Sequence, residues 1–170
     1  MFAAIDFSTL DLMDALDLAV LIEIEAMERY KLFSNQLGYS FPGDAGSVFH
    51  HMANNEAKHG VELSQRRESL FGDAPVRVQK SALFDVEAPE VGAPRWDMSP
   101  LAAFEVAVSS ERKAYAFYDQ ALPHVTNEEV RTLFVELRGE EQRHMDMLLT
   151  AMAKLPARAA EGLVDLDNDD

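Results

Sequence analysis

Apolar residues recur every three or four positions along four long segments of the chain, which is the spacing of one face of an α-helix. The segments cover about residues 9–37, 47–71, 99–122 and 127–155. Gly38 and Gly72 follow the first two segments, and Ser99 precedes the third, as is typical of helix ends. The pattern therefore predicts four helices, with Ser8 or Thr9 as the cap of the first.

The lengths of the connections predict how these helices are arranged. The first and second helices are joined by a short loop, as are the third and fourth, which is typical of antiparallel hairpins. Residues 72–98 form a longer connection with three prolines and little periodicity, and this length suits a crossover along a bundle. A linker between two domains is the alternative, but neither hairpin could cover its apolar face alone. We therefore predict one all-α domain, residues 1–156, with a flexible acidic tail at 157–170.

Four chemically distinctive residues occur twice, once in each predicted hairpin. The first set is Glu23, Tyr30, Glu56 and His59, and the second set is Glu111, Tyr118, Glu141 and His144. Each Glu and Tyr of the first helix lies 88 residues from its counterpart in the third, and the Glu-x-x-His pairs are 85 residues apart. This internal repeat implies two hairpins related by an approximate twofold axis, which would bring both sets to the centre.

The repeated Glu and His residues belong to the apolar stripes of their helices, where a lone carboxylate would be costly. A Glu and a His three positions apart project from the same side of a helix. Burying one ionised carboxylate costs several kcal/mol, and four clustered carboxylates would also repel one another. Two divalent cations would neutralise them, and oxygen with imidazole nitrogen suits iron or manganese, with zinc as a possible occupant. The predicted metal ligands are Glu23, Glu56, His59, Glu111, Glu141 and His144.

Two tyrosines follow the first-helix and third-helix glutamates by two turns on the same face. Tyr30 and Tyr118 are either core tyrosines with a local hydrogen-bond partner or groups that support the metal site. In the second case each phenol donates to a ligand carboxylate of the opposite hairpin and orients it.

Composition narrows the possible functions. A formal charge of −15 argues against nucleic acid or an anionic membrane as a partner, because both need an excess of basic residues. The absence of cysteine excludes thiolate zinc sites, iron–sulfur clusters and a thiol nucleophile. No secretory signal or long apolar run is present, so we expect a cytoplasmic location without a membrane segment. A homodimer is expected because further apolar residues widen the surface of the first helix, namely Leu18, Leu21, Ile22 and Ile24.

The motifs Glu111-Arg-Lys-Ala-Tyr-Ala-Phe-Tyr118 and Glu140-Glu-Gln-Arg-His144, together with their first-half counterparts, resemble the ferritin-like superfamily and within it the rubrerythrin-like proteins. The resemblance covers about residues 9–155. It implies a ferritin-like bundle with a di-iron site between the hairpins, in which the same six residues carry the redox chemistry. Glu56 and Glu141 would bridge the metals, Glu23 and Glu111 would be terminal, and each His would bind one metal.

Two departures from this family bear on the expected reaction. Full rubrerythrins carry a cysteine-containing rubredoxin domain, and peroxidase-type members have a glutamate where this chain has Ala114. Without a rubredoxin domain, electrons would come from an external donor such as a separate rubredoxin-type protein, and Ala114 in place of the glutamate argues against rapid peroxide reduction and favours a six-ligand, ferroxidase-like centre. We expect a di-iron redox protein that reacts with peroxide or oxygen. Its role would be oxidative-stress protection or iron handling. The alternatives are a ferroxidase for iron storage or transfer and a non-catalytic metal-binding or interaction module.

Overall fold

The computed structural model describes residues 5–38, 43–78 and 86–156, and four α-helices make up most of them. These are α1 (Leu12–Leu37), α2 (Ala45–Phe71), α3 (Pro100–Ala121) and α4 (Glu128–Met152), with a short 3₁₀ turn at Leu122–His124. The helix α1 packs along α2, and α3 packs along α4, which confirms the predicted all-α bundle of two hairpins. Within the described ranges no helix is long and apolar enough to cross a membrane. The predicted acidic tail, 157–170, lies outside the described residues.

The start of α1 differs from the prediction. Ser8 and Thr9 lie in a turn, because Ser8 N donates to the Asp6 carboxylate at 3.0 Å and Thr9 N donates to the Asp6 carbonyl at 3.2 Å. The Asp11 side chain instead accepts a hydrogen bond from the first turn at 2.9 Å, and the helix begins at Leu12. The cap was misplaced because Asp, Ser and Thr all favour this position and several of them occur together.

The other helix ends follow the expected chemistry. Asp44 caps α2, so this helix begins two residues earlier than predicted. Ser99 and Asn127 cap α3 and α4 as predicted. The helices α1 and α2 end at Gly38 and Gly72, where the backbone turns to φ values of 71° and 58° that glycine adopts without strain.

Two apolar clusters fill the interior and leave a polar layer between them. The first cluster includes Leu16, Ile22, Phe117, Leu133 and Phe134. The second includes Ala26, Phe33, Phe49, Val108 and Leu148. Each helix has one buried glutamate between the residues that it contributes to the two clusters, so the four glutamates meet halfway along the bundle.

The apolar residues that suggested a subunit interface on α1 do not all reach the surface. Leu18 and Ile22 are buried within the chain as part of the first cluster. Leu21 and Ile24 are partly buried. The homodimer stays a prediction, and the α1 surface available for it is narrower than the sequence indicated.

A substitution at Gly46 tests the close approach of α2 to the end of α1. Ser34 Oγ donates to the Gly46 carbonyl at 3.0 Å, and a Cβ atom at Gly46 would lie 1.7 Å from the carbonyl oxygen of Gly38. Because the backbone would have to move, Gly46→Ala is expected to lower the free energy of unfolding by about 1–3 kcal/mol in a urea titration.

Gly139→Ala provides the matched control in α4. A Cβ atom at Gly139 meets nothing within 4 Å, so alanine should raise the free energy of unfolding by about 0.5–1 kcal/mol through its helix propensity. If the two variants changed stability alike, the contact between Gly46 and Gly38 would be looser than described.

Candidate metal centre

The six residues predicted as metal ligands come together as two triads, one from each hairpin. The first triad is Glu23, Glu56 and His59, and the second triad is Glu111, Glu141 and His144. Within each triad the potential ligand atoms lie within 4.8 Å of one another. The helical stripes bring them there, because each stripe turns one Glu, or one Glu and one His, toward the bundle axis.

The first triad has the spacing of residues that share one ion. His59 Nδ1 lies 3.6 Å from Glu56 Oε2 and 3.9 Å from Glu23 Oε2. Its ring is parallel to that of His144, with the ring centroids 4.6 Å apart and an interplanar angle of 2°. The stacked imidazoles place the two triads side by side.

The second triad is closer together. His144 Nδ1 lies 3.1 Å from Glu111 Oε2 and 3.6 Å from Glu141 Oε2. Burial lowers the pKa of His144, but its hydrogen bond to Glu111 and the nearby carboxylate of Glu141 outweigh burial and raise the pKa to about 10. Burial raises the pKa of Glu141 to about 8, although the contact with His144 acts in the opposite direction. Without a cation, this triad therefore retains protons at neutral pH.

The chemistry of the buried carboxylates fits a pair of cations. Five glutamates are no more than 4% exposed, namely Glu23, Glu56, Glu87, Glu111 and Glu141. Seven of their oxygen atoms have no hydrogen-bond partner among the described residues. Burial, followed by the charges of neighbouring carboxylates, raises the pKa of Glu23 and Glu87 well above the usual value. Two divalent ions would supply both the missing contacts and the missing positive charge, so the arrangement is consistent with a dinuclear metal site.

Glu87 is the member of this group that the sequence pattern does not predict. It lies in the crossover, and its carboxylate oxygens are within 4.8 Å of ligand atoms of Glu23 and Glu141, and also of Glu56 and Glu111. The crossover has no helical period, so no stripe indicates which side chain points inward. The sequence offers only a weak indication, which is that this acidic residue stands between the apolar residues Val86 and Ala88. Both of these neighbours are buried in the structure.

Tyr30 and Tyr118 are fully buried next to the two triads. Neither phenolic oxygen has a hydrogen bond of normal geometry among the described residues. Burial raises both pKa values well above 10, and the charges of nearby glutamates add to this effect, from Glu111 and Glu56 at Tyr30 and from Glu141 and Glu23 at Tyr118. Each phenol therefore keeps its proton and lies near carboxylates of both hairpins. The hydrogen bonds expected between them stay a prediction.

A cavity of about 350 Å³ leads from the surface to the imidazole side of the triads. His59 and His144 line this cavity together with the apolar side chains of Met52, Phe104 and Leu148. The cavity also touches exposed residues of α2 and α4, among them His51, Lys58 and Met147. A small molecule can therefore reach the two imidazoles without a large movement of the helices.

Comparisons with known proteins agree with this fold. The family model for rubrerythrin matches residues 14–153. Among solved structures, the chain is similar to an uncharacterized conserved protein from Magnetospirillum magnetotacticum, with 26% sequence identity and a TM-score of 0.67. The similarity covers 86% of this chain and 97% of that one. No curated protein matches the chain at a significant level.

Proposed function

The chain belongs to the rubrerythrin family, and we propose that it is a di-iron oxidoreductase whose centre reacts with peroxide or oxygen. The observation that carries the proposal is the convergence of five buried glutamates and two histidines, with seven carboxylate oxygens unpartnered. Bound at such a site, a pair of iron ions supplies two electrons to the oxidant and Lewis acidity at its oxygen atoms. Oxidative-stress protection or iron handling would follow from this activity.

Each triad would hold one ion. Nδ1 is the imidazole nitrogen that lies closest to the carboxylates in both triads, so it is the proposed ligand atom of His59 and of His144. The four glutamates would add oxygen ligands and cancel the charge of two divalent ions. All six side chains project from helices, so little rearrangement would be needed to bind the metal pair.

Other side chains would control the access of water and oxidant to the metal centre and would supply hydrogen-bond donors to its ligands. The apolar side chains of Met52, Phe104 and Leu148 in the cavity lining would limit the water around the triads, and the cavity would admit a small oxidant. Tyr30 and Tyr118 retain the proton on Oη because their pKa values are raised by burial. Each phenol is therefore suited to donate a hydrogen bond to a metal-bound carboxylate and hold it in place.

Electrons for a second turnover would come from another molecule. The 170 residues contain no cysteine and therefore no thiolate-bound iron that could relay electrons within the chain. A separate rubredoxin-type protein is the donor that we propose. A homodimer and a cytoplasmic location belong to the same proposal.

Removal of Glu56 tests the proposed reaction. Metal-free protein is loaded with iron(II) under anaerobic conditions and mixed with peroxide, or with oxygen, in a stopped-flow spectrometer that follows the ferric absorbance. Glu56→Ala should slow oxidation by about tenfold or more, because even a residue behind a metal ligand usually contributes this much. Glu62→Ala, on the exposed face of the same helix, should react like the wild type.

The outcomes separate the proposal from its rivals. If Glu56→Ala reacted as fast as the wild type, the proposed di-iron reaction would have to be abandoned. Oxidation of many iron ions per chain, with release of the product, would indicate a ferroxidase. Tight binding of two ions without a reaction with either oxidant would indicate a non-catalytic metal-binding module.

A further inference from the structure

Glu87 is buried in a segment that is not part of any helix. Its side chain is 1% exposed, and neither carboxylate oxygen has a hydrogen-bond partner among the described residues. A buried carboxyl group with a purely structural role normally has such a partner. The side chain is directed into the polar layer between the two apolar clusters, where the triads lie.

The backbone around Glu87 is held from two sides. We call residues 86–90 the strap. Lys113 of α3 donates from Nζ to the Ala88 carbonyl at 2.6 Å, and Arg29 of α1 donates from Nη1 to the Pro89 carbonyl at 2.6 Å. Lys113 is two residues from Glu111, and Arg29 is six residues from Glu23. The strap is thus fixed to α1 and α3 close to both triads.

The distances place the Glu87 carboxylate next to both triads. It forms one close group with Glu23 and Glu141 and another with Glu56 and Glu111, and the ligand atoms within each group are no more than 4.8 Å apart. Each group combines one glutamate from each hairpin. A carboxylate in this position can bind one metal ion through each of its two oxygens, which is a common role of carboxylates between paired metals.

We propose that Glu87 is a seventh protein ligand, a carboxylate that the strap supplies from outside the four helices to bridge the two metal ions. This proposal rests on the dinuclear centre of the proposed function. It makes the metal site dependent on the crossover as well as on the helices. It also assigns a role to Lys113 and Arg29, which position the strap from α3 and α1.

Calorimetric titration of the metal-free, full-length protein with Mn²⁺ tests the assignment without measuring activity. Glu87→Gln keeps the size of the side chain and removes its charge. Glu87→Asp keeps the charge and withdraws the carboxylate by one methylene. Both variants should weaken Mn²⁺ binding by about tenfold or more, because the loss of even a residue behind a metal ligand usually costs this much. The control is Glu90→Gln, an exposed position at the end of the strap, which should bind like the wild type.

Each outcome has a definite meaning. If Glu87→Asp bound Mn²⁺ as tightly as the wild type, Glu87 would act only through its charge, and the proposal would be overturned. Equal affinities of wild type and Glu87→Gln would overturn it as well. If the wild type did not bind two ions, the dinuclear centre itself would fail, which separates this result from a failure at Glu87. Circular dichroism of metal-free Glu87→Gln should match the wild type, because Gln is isosteric with Glu.

Discussion

Metal-free protein is expected to lose stability as the pH rises from about 5 to about 8, the reverse of the trend that ion-paired carboxylates produce. The cause is the group of buried glutamates at the metal centre. Burial raises the pKa of Glu23, Glu87, Glu111 and Glu141, so the folded chain keeps protons that the unfolded chain has released. A state that binds more protons becomes less stable as their concentration falls.

Glu141 and His144 set the range and the size of this effect. The pKa of Glu141 rises from 4.5 to about 8, so its stabilising protonation is lost between these two values. At about 1.4 kcal/mol per pKa unit, the shift at this residue alone corresponds to a loss of stability on the order of 5 kcal/mol. The pKa of His144 rises from 6.5 to about 10 on folding. Protonated His144 therefore stabilises the folded state fully below pH 6.5, and this stabilisation declines as the pH rises toward 10. Both contributions therefore have the same sign across neutral pH.

Urea unfolding of chelator-treated protein at several pH values measures how the free energy of unfolding changes with pH. Glu141→Gln should make this free energy less dependent on pH, because the amide does not titrate. Glu140→Gln, a substitution at the neighbouring and partly exposed position, should leave the pH dependence unchanged. Saturation with Mn²⁺ should stabilise the protein more at high pH than at low pH, because the metal displaces protons from its ligands.

Two results would contradict the conclusion that the buried glutamates of the metal-free protein keep protons at neutral pH. Metal-free stability that stayed constant or increased over this pH range would mean that the glutamates do not share buried protons. A calorimetric titration in buffers of different ionisation enthalpy should also show protons released when Mn²⁺ binds near neutral pH. If no protons were released, the triads would already be ionised in the metal-free protein.

The helical period predicted both the bundle and the positions of the two triads. Glu23 and Glu111 stand in continuous apolar stripes, and a buried charge in such a stripe indicates a ligand because burial without a partner is so costly. The repeat of 88 and 85 residues added the information that the two hairpins meet at one point. These features are local or periodic, so they can be recognised in the amino-acid sequence without knowledge of the structure.

Glu87 could not be predicted in the same way because its position depends on contacts that are distant in sequence. The Lys113 contact to Ala88 spans 25 residues, and the Arg29 contact to Pro89 spans 60. No periodic pattern in the crossover connects these residues. The inward direction of Glu87 follows from how α1 and α3 hold the strap, and that is a property of the assembled bundle.

Loss of the Arg67 side chain is expected to destabilise the bundle outside the metal centre. Arg67 of α2 forms a bidentate ion pair with Asp17 of α1, with Nε to Oδ1 at 2.7 Å and Nη2 to Oδ2 at 3.3 Å. Both side chains are buried, at 8% and 5% exposure. The same guanidinium donates to the carbonyls of Gly72 at 2.8 Å and Ala74 at 2.7 Å, which fixes the start of the crossover.

Arg67→Met should lower the free energy of unfolding by about 3–5 kcal/mol, measured by urea titration, because it leaves a buried carboxylate without a partner. The neighbouring Arg66 is a matched control. Its ion pair with Glu136 at 3.0 Å is solvent-exposed, so Arg66→Met should cost no more than about 1 kcal/mol.

A second substitution separates the cost of the unpaired charge from the loss of packing. Adding Asp17→Leu to Arg67→Met removes the orphaned carboxylate, so the double variant should be more stable than Arg67→Met alone. Equal destabilisation by Arg66→Met and Arg67→Met would contradict the buried ion pair. A double variant less stable than Arg67→Met would mean that Asp17 makes further favourable contacts, and that the orphaned charge is not the main cost.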